Sequence, residues 1–235
     1  MIADNLKSVR QRIAACCERV GRSPEDVELV CVTKEASLDE IEKVIGLGVH
    51  ILGENRVQDA VLKHGSIEDK TKWHLIGHLQ TNKVKDAVKI FSLIHSIDSV
   101  RLAKEIDKEA RKINKIQDAL VQVNTSGEKT KFGIKPEDVD DFLKEVSLYS
   151  NINIKGLMAI APEVGDPEAV RPYFKALREL RDRINAIRPS AGSGLVPSEA
   201  EGRFTQDGTF PSKYFSAIVS VRLKRLPRSF ASSLL

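Results

Sequence analysis

The strongest constraint on this chain is an alternation. Six times over, a short run of apolar and β-branched residues is followed by a segment with helical hydrophobic spacing. Residues 28–33, Glu-Leu-Val-Cys-Val-Thr, read as the first strand. Ser37 caps the helix after it, with Glu40 three residues on, and Gly46 and Gly48 end that helix. Further strands are expected over 49–53, 73–77, 93–97, 119–124 and 154–160. The helices between and after them are expected over 56–63, from Asn82 onward, and over 99–113, 136–149 and 166–187, and one extra helix over 3–20 precedes the first strand. Strands joined through helices lie parallel. Right-handed crossovers then leave an open doubly wound sheet or a closed barrel. No Gly-x-Gly-x-x-Gly follows the first strand, so the dinucleotide fingerprint is missing and the barrel is favoured.

Charge and cysteine usage narrow the function classes. Residues 1–189 hold 31 Lys+Arg against 30 Asp+Glu, so the body of the chain is close to neutral. A nucleic-acid footprint would need clustered basic side chains, and no nucleic-acid partner is expected. The first helix carries Asp4, Lys7, Arg10, Arg12 and Glu18 and lacks the apolar core of a signal peptide. No stretch approaches the roughly 20 apolar residues of a membrane span. Cys16, Cys17 and Cys31 match no zinc or redox spacing and read as bystander thiols, which suits a reducing compartment. A cytoplasmic protein without a membrane partner is expected.

In a parallel barrel the C-terminal strand ends meet at one face, where active sites form. The residues arriving there are Thr33-Lys34, Gly53-Glu54-Asn55, Gly77-His78, His95-Ser96 with Asp98, Asn124 with Ser126-Gly127, and Met158. Loops are polar in general, which accounts for any one of these but less well for all of them together. Lys34 ends an apolar strand, where partial desolvation would make its amine nucleophilic toward an aldehyde. His74 and His78 stand four apart on an expected strand, some ~13 Å from each other, so no metal pair is expected. Neither a Gly-x-Ser-x-Gly elbow nor a Cys/His nucleophile pair is present.

Several segments in order resemble the YggS/PROSC family, the pyridoxal phosphate homeostasis proteins. They are Val30-Cys31-Val32-Thr33-Lys34, Gly53-Glu54-Asn55-Arg56-Val57-Gln58, and the run from Trp73 to Lys83, Trp-His-Leu-Ile-Gly-His-Leu-Gln-Thr-Asn-Lys. His95-Ser96-Ile97-Asp98-Ser99, Gln122-Val123-Asn124, the run from Ser126 to Gly133, and Gly156-Leu157-Met158-Ala159-Ile160 continue the match. The resemblance implies an α/β fold, a TIM-type (β/α)8 barrel of pyridoxal-phosphate fold type III, like the N-terminal domain of alanine racemase. It implies that Lys34 carries pyridoxal 5′-phosphate as an internal aldimine, that Asn55 and Met158 line the cofactor, and that Lys131 helps hand it on. The implied partners are the cofactor itself and apo pyridoxal-phosphate enzymes, with a monomer as the expected state and no metal. Ala36 departs from the pattern, since many members carry a second lysine there.

The resemblance covers residues 1–188, read as the barrel domain, and fails over 189–235. The family's Ser-Met-Gly-Met-Ser, Asp-Phe-Glu and Val-Arg-Ile-Gly segments supply most phosphate-binding groups and the last two strands, and none of them occurs in that tail. The last two strand–helix units are therefore read as aberrant or missing, as a frameshift in the coding sequence would leave them. Residues 216–223 form a β-branched run that could serve as one replacement strand. Weak cofactor binding and poor folding are expected. The leading reading is a cofactor carrier in pyridoxal phosphate homeostasis, without turnover. An amino-acid racemase is the second; it needs an acid/base opposite the lysine, and Tyr149, Tyr173 and Tyr214 match no such motif. A non-functional family remnant is the third.

Overall fold

A computed structural model describes residues 2–67, 71–128, 130–187 and 221–222 of the 235. Helix α1 (Ile2–Arg19) precedes six strands: β1 (Cys31–Val32), β2 (Ile51–Glu54), β3 (Lys72–Leu75), β4 (Leu93–Ile97), β5 (Gln117–Gln122) and β6 (Ile152–Met158). Between and after them come α2 (Leu38–Gly46), α3 (Val57–His64), α4 (Val84–Ile90), α5 (Val100–Lys112), α6 (Val139–Val146) and α7 (Arg171–Ile187). A seventh strand, β7 (Val221–Arg222), comes from the tail and falls within the β-branched run 216–223. It pairs parallel with β1, Cys31 opposite Val221 and Val32 opposite Arg222. The sheet order is β6-β5-β4-β3-β2-β1-β7, and every pair is parallel.

Two facts make this a (β/α) barrel rather than a doubly wound sheet. The first six strands follow one another in sequence order with no reversal. The helices pack on one face only: Ile41, Val44, Ala60, Val84, Ala87, Ile106, Phe142 and Leu177 share one core with Cys31, Leu52, Leu75, Ile94, Val121 and Leu157. The opposite face carries its own cluster, Leu93, Leu120 and Met158, each next in sequence to a residue of the first. Successive side chains of a strand point to opposite faces, so this second cluster is the barrel interior.

Local chemistry sets the elements. Ser37 and Glu40 form a reciprocal capping box on α2, a device worth about 1 kcal/mol. The Ser99 hydroxyl accepts from the Leu102 N–H to start α5. Arg10 of α1 donates to the carbonyls of Leu47 and Gly48, closing the C-terminal end of α2. That contact lies at the end of the barrel opposite the strand C-termini. Strand β5 starts at Gln117 and β6 at Ile152, each two residues ahead of the expected apolar run, because their first inward positions are polar and pair with each other: Asn153 donates to Asp118 at 2.8 Å. The three cysteines are free and buried, and burial pushes the Cys31 thiol up to about 11. Among the described residues no helix is long and apolar enough to cross a membrane.

Candidate functional site

The C-terminal ends of β1 to β6 bring the expected residues to one end of the barrel. Lys34 comes just past β1, in the turn that the Ala36 N–H closes onto the Thr33 carbonyl at 3.0 Å. Its side chain is 26% exposed, with Nζ 3.9 Å from a Glu35 carboxylate oxygen. Asn55 follows β2 and is half-buried. The peptide after β3 presses on it, where Gly77 packs against the Asn55 backbone too closely for any side chain. Met158 ends β6 fully buried, forming with Leu93 and Leu120 the apolar floor inside the barrel.

The loop after β5 carries Lys131 and folds over this end. Asn124 organises it. Its amide donates to the carbonyls of Glu128 and Lys131, and its Oδ1 accepts from the Ser126 hydroxyl and the Gly127 N–H. Gly133 has φ +122°, and a Cβ there would stand 2.8 Å from the Asn124 nitrogen, so the loop needs glycine at that point. Lys131 is 27% exposed and pairs with Glu128 at 2.9 Å. Phe132 stacks on His78, with ring centroids 3.9 Å apart, and so docks the β5 loop onto the β3 loop. His78 in turn meets Asp98 at 3.4 Å. Burial raises the Asp98 carboxyl, and the facing His78 opposes that rise.

Three relationships escaped the sequence reading. First, His74 does not work with His78. It faces the barrel interior and pairs with His95, Nδ1 to Nε2, at 3.1 Å. Burial, with Lys72 adding to it, pushes the His74 imidazole down to about 4. His95 lies well below its ordinary value, through burial first and His74 second, so both rings are neutral at pH 7. Second, Glu54 is fully buried on the helix side of β2, where it accepts from the Thr33 hydroxyl and from Lys63 of α3, both at 2.7 Å. Third is the His78–Phe132 stack. The signal for each was present only as residue type, since no local spacing joins β3 to β4, or β2 to the inner face of α3. Tyr149 lies past the end of α6, packed on the core away from this site, and Tyr214 lies outside the described residues. Among the described residues no three His, Cys, Asp or Glu side chains form a metal-binding group.

A primary amine at the mouth of a barrel, above an apolar floor and beside a strand end held rigid by a bare glycine, suits capture of a planar aldehyde. These residues therefore fit a pyridoxal cofactor. The groups that would hold its phosphate are expected within 189–235, of which only residues 221–222 are described.

Comparison with known proteins agrees with this geometry. The sequence profile of the alanine racemase N-terminal domain matches residues 5–195. The pyridoxal phosphate homeostasis protein of Aquifex aeolicus is 42% identical over 197 residues, which cover 82% of this chain and 86% of that protein. A solved structure of PipY from Synechococcus elongatus without PLP matches with 30% identity and a TM-score of 0.70, covering 80% of this chain and 83% of that one. The structure of PipY with PLP bound matches with 30% identity and a TM-score of 0.65, covering 78% and 83%.

Proposed function

We propose, from the premise that this chain belongs to the pyridoxal phosphate homeostasis proteins of the alanine racemase N-terminal-domain family, that it binds pyridoxal 5′-phosphate through Lys34 and holds it for pyridoxal-phosphate enzymes, without turnover of its own. The observation that carries this reading is the partly buried Lys34 just past the C-terminal end of β1, at the same end of the barrel as Asn55 and the buried Met158.

When bound, the cofactor supplies an electrophilic aldehyde and an electron-withdrawing ring. The chain's own residues bind and orient it. Lys34 offers the nucleophilic amine, which Glu35 at 3.9 Å leaves available. Asn55 stands at the side, and Met158, Leu93 and Leu120 exclude water from below. Lys131 is the cation we assign to release and handover, held over the site by Asn124 and the Phe132–His78 stack. A cytoplasmic monomer that meets apo enzymes completes the proposal.

The carrier role rather than racemase activity is supported by the relatives, which are named for pyridoxal phosphate homeostasis. The test is borohydride trapping of the purified chain with the cofactor, followed by peptide mapping. Modification of the peptide containing Lys34, lost in Lys34→Ala, is the expected result, with no racemisation of free amino acids. Trapping spread evenly over surface lysines in both proteins would sink the reading. If the changed tail withholds the phosphate-binding groups, the trapped fraction will stay below stoichiometric and rise with cofactor concentration.

A further inference from the structure

We infer that Glu54, Lys63 and Thr33 form a positioning unit, which fixes the backbone immediately behind Lys34 and Asn55 from the far side of the sheet. The inference rests on the reading of Lys34 as the cofactor lysine.

The geometry is specific. The Thr33 carbonyl belongs to the peptide bond that ends at the Lys34 nitrogen. It accepts from Lys63 Nζ at 2.6 Å and from the Ala36 N–H at 3.0 Å. The Thr33 N–H donates to the Gly53 carbonyl at 2.9 Å, and its hydroxyl donates to Glu54 Oε1 at 2.7 Å. Every polar atom of Thr33 is therefore committed. Lys63 also reaches Glu54 Oε1 at 2.7 Å, and the Glu54 carbonyl accepts from the Ile76 N–H at 2.9 Å. Thr33 precedes Lys34 and Glu54 precedes Asn55, and Lys63 reaches both Thr33 and Glu54 from α3. Anchoring the peptide that precedes each of Lys34 and Asn55 limits how far its Cα can move.

The cluster is poorly built as a device for stability. Glu54 is fully buried, and its second carboxylate oxygen has no hydrogen-bond partner. A buried ion pair is often no more stabilising than apolar residues of the same volume, and an orphaned carboxylate oxygen makes it less so. What the arrangement does supply is register. It ties β1 to β2 and both to α3 at the level of Lys34, where β1 is only two residues long. A lysine whose amine must meet a carbonyl carbon at a defined angle needs its Cα held, since misplacement of about 1 Å can cost about a hundredfold.

The experiment compares wild type with the double substitution Glu54→Met and Lys63→Met, which removes the pair without leaving a buried charge. Three quantities are read: the denaturation midpoint of the cofactor-free chain, the exchange rate of the Ala36 amide, and the affinity for the cofactor measured by trapping at Lys34. The expected result is an unfolding midpoint at or above that of wild type, faster exchange at Ala36, and affinity weakened about tenfold or more. Lys63→Arg, which keeps the charge and the donors, restores most of the affinity. A double variant that is stable and binds as wild type does overturns the inference and leaves the assignment of Lys34 intact. Wild type that traps nothing at Lys34 overturns that assignment and this inference with it. Should the double variant fail to fold, Thr33→Val takes its place. It removes only the hydroxyl link to Glu54, a severalfold loss of affinity is expected, and unchanged affinity counts against the inference.

Discussion

Gly77 lies flat against the backbone of Asn55: a Cβ on Gly77 would stand 2.2 Å from the Asn55 carbonyl oxygen and 2.8 Å from its Cα. Both contacts are with backbone, so no side-chain rotation relieves them. Gly77→Ala must push β2 and β3 apart at the site, at a cost of about 3 kcal/mol. Because the shift falls on Asn55, cofactor affinity should drop by more than the stability loss alone requires. Denaturation of the cofactor-free chain, run beside trapping at Lys34, checks both parts. A variant as stable as wild type would mean that the Gly77–Asn55 approach is looser than 2.2 Å implies.

How much of this could be read from the sequence depends on whether the cause was local. The capping box of Ser37 and Glu40 was readable because both halves lie within one helical turn, and it forms as read. Lys34 and Asn55 were readable as site candidates because each lies within two residues of a strand end. The starts of β5 and β6 were not, since Asp118 and Asn153 are polar residues facing inward and satisfying each other across two strands, so an apolar run marks them too late. β1 is shorter than its apolar run over 28–33, and β7 meets it at Cys31 and Val32. The partner of Glu54 was hidden for a different reason. Lys63 lies nine residues on, in the next element, and only the packing of α3 on the sheet shows which of the nearby lysines turns inward.

Asn124 makes the loop over the site a single folded unit. It donates to Glu128 and Lys131 and accepts from Ser126 and Gly127, with distances from 2.9 to 3.4 Å. Asn124→Ala should cost about 1–2 kcal/mol, since several of these groups can turn to water. Hydrogen exchange should rise across residues 125–132 while the amides of β4 and β5 stay protected. With Lys131 no longer held, transfer of the cofactor to an apo enzyme should slow more than binding weakens. Exchange that rises throughout the barrel would instead show that the loop supports the whole fold.

Strand β7 covers the outer edge of β1, through Val221 and Arg222. A chain cut after Ile187 loses that cover and leaves the unpaired edge beside Lys34. Open strand edges recruit other chains, so the cut protein should associate as its concentration rises, and its affinity for the cofactor should fall. Light scattering over a concentration series reads the first effect and trapping at Lys34 the second. A cut chain that stays monomeric with unchanged trapping would show that the tail strand contributes nothing to the site.

The buried pair His74–His95 makes stability depend on pH in a direction that follows from its desolvation. Burial holds His74 down to about 4 from 6.5, and holds His95 lower than its ordinary value as well. In the native protein both rings stay neutral while the pH falls through the range in which the unfolded chain takes up protons. The stabilisation is therefore complete above 6.5 and is lost progressively as the pH falls from 6.5 toward about 4. For His74 alone that window corresponds to about 3 kcal/mol, and His95 adds in the same direction. Urea denaturation of the cofactor-free chain at pH 7 and at about pH 5 measures the slope. His74→Asn keeps a hydrogen-bonding group beside His95 but cannot titrate, so its midpoint should change less between the two pH values than that of wild type. Equal slopes in the two proteins would mean that His74 takes up its proton over the same pH range in the native and the unfolded chain, so that burial beside His95 does not hold it neutral.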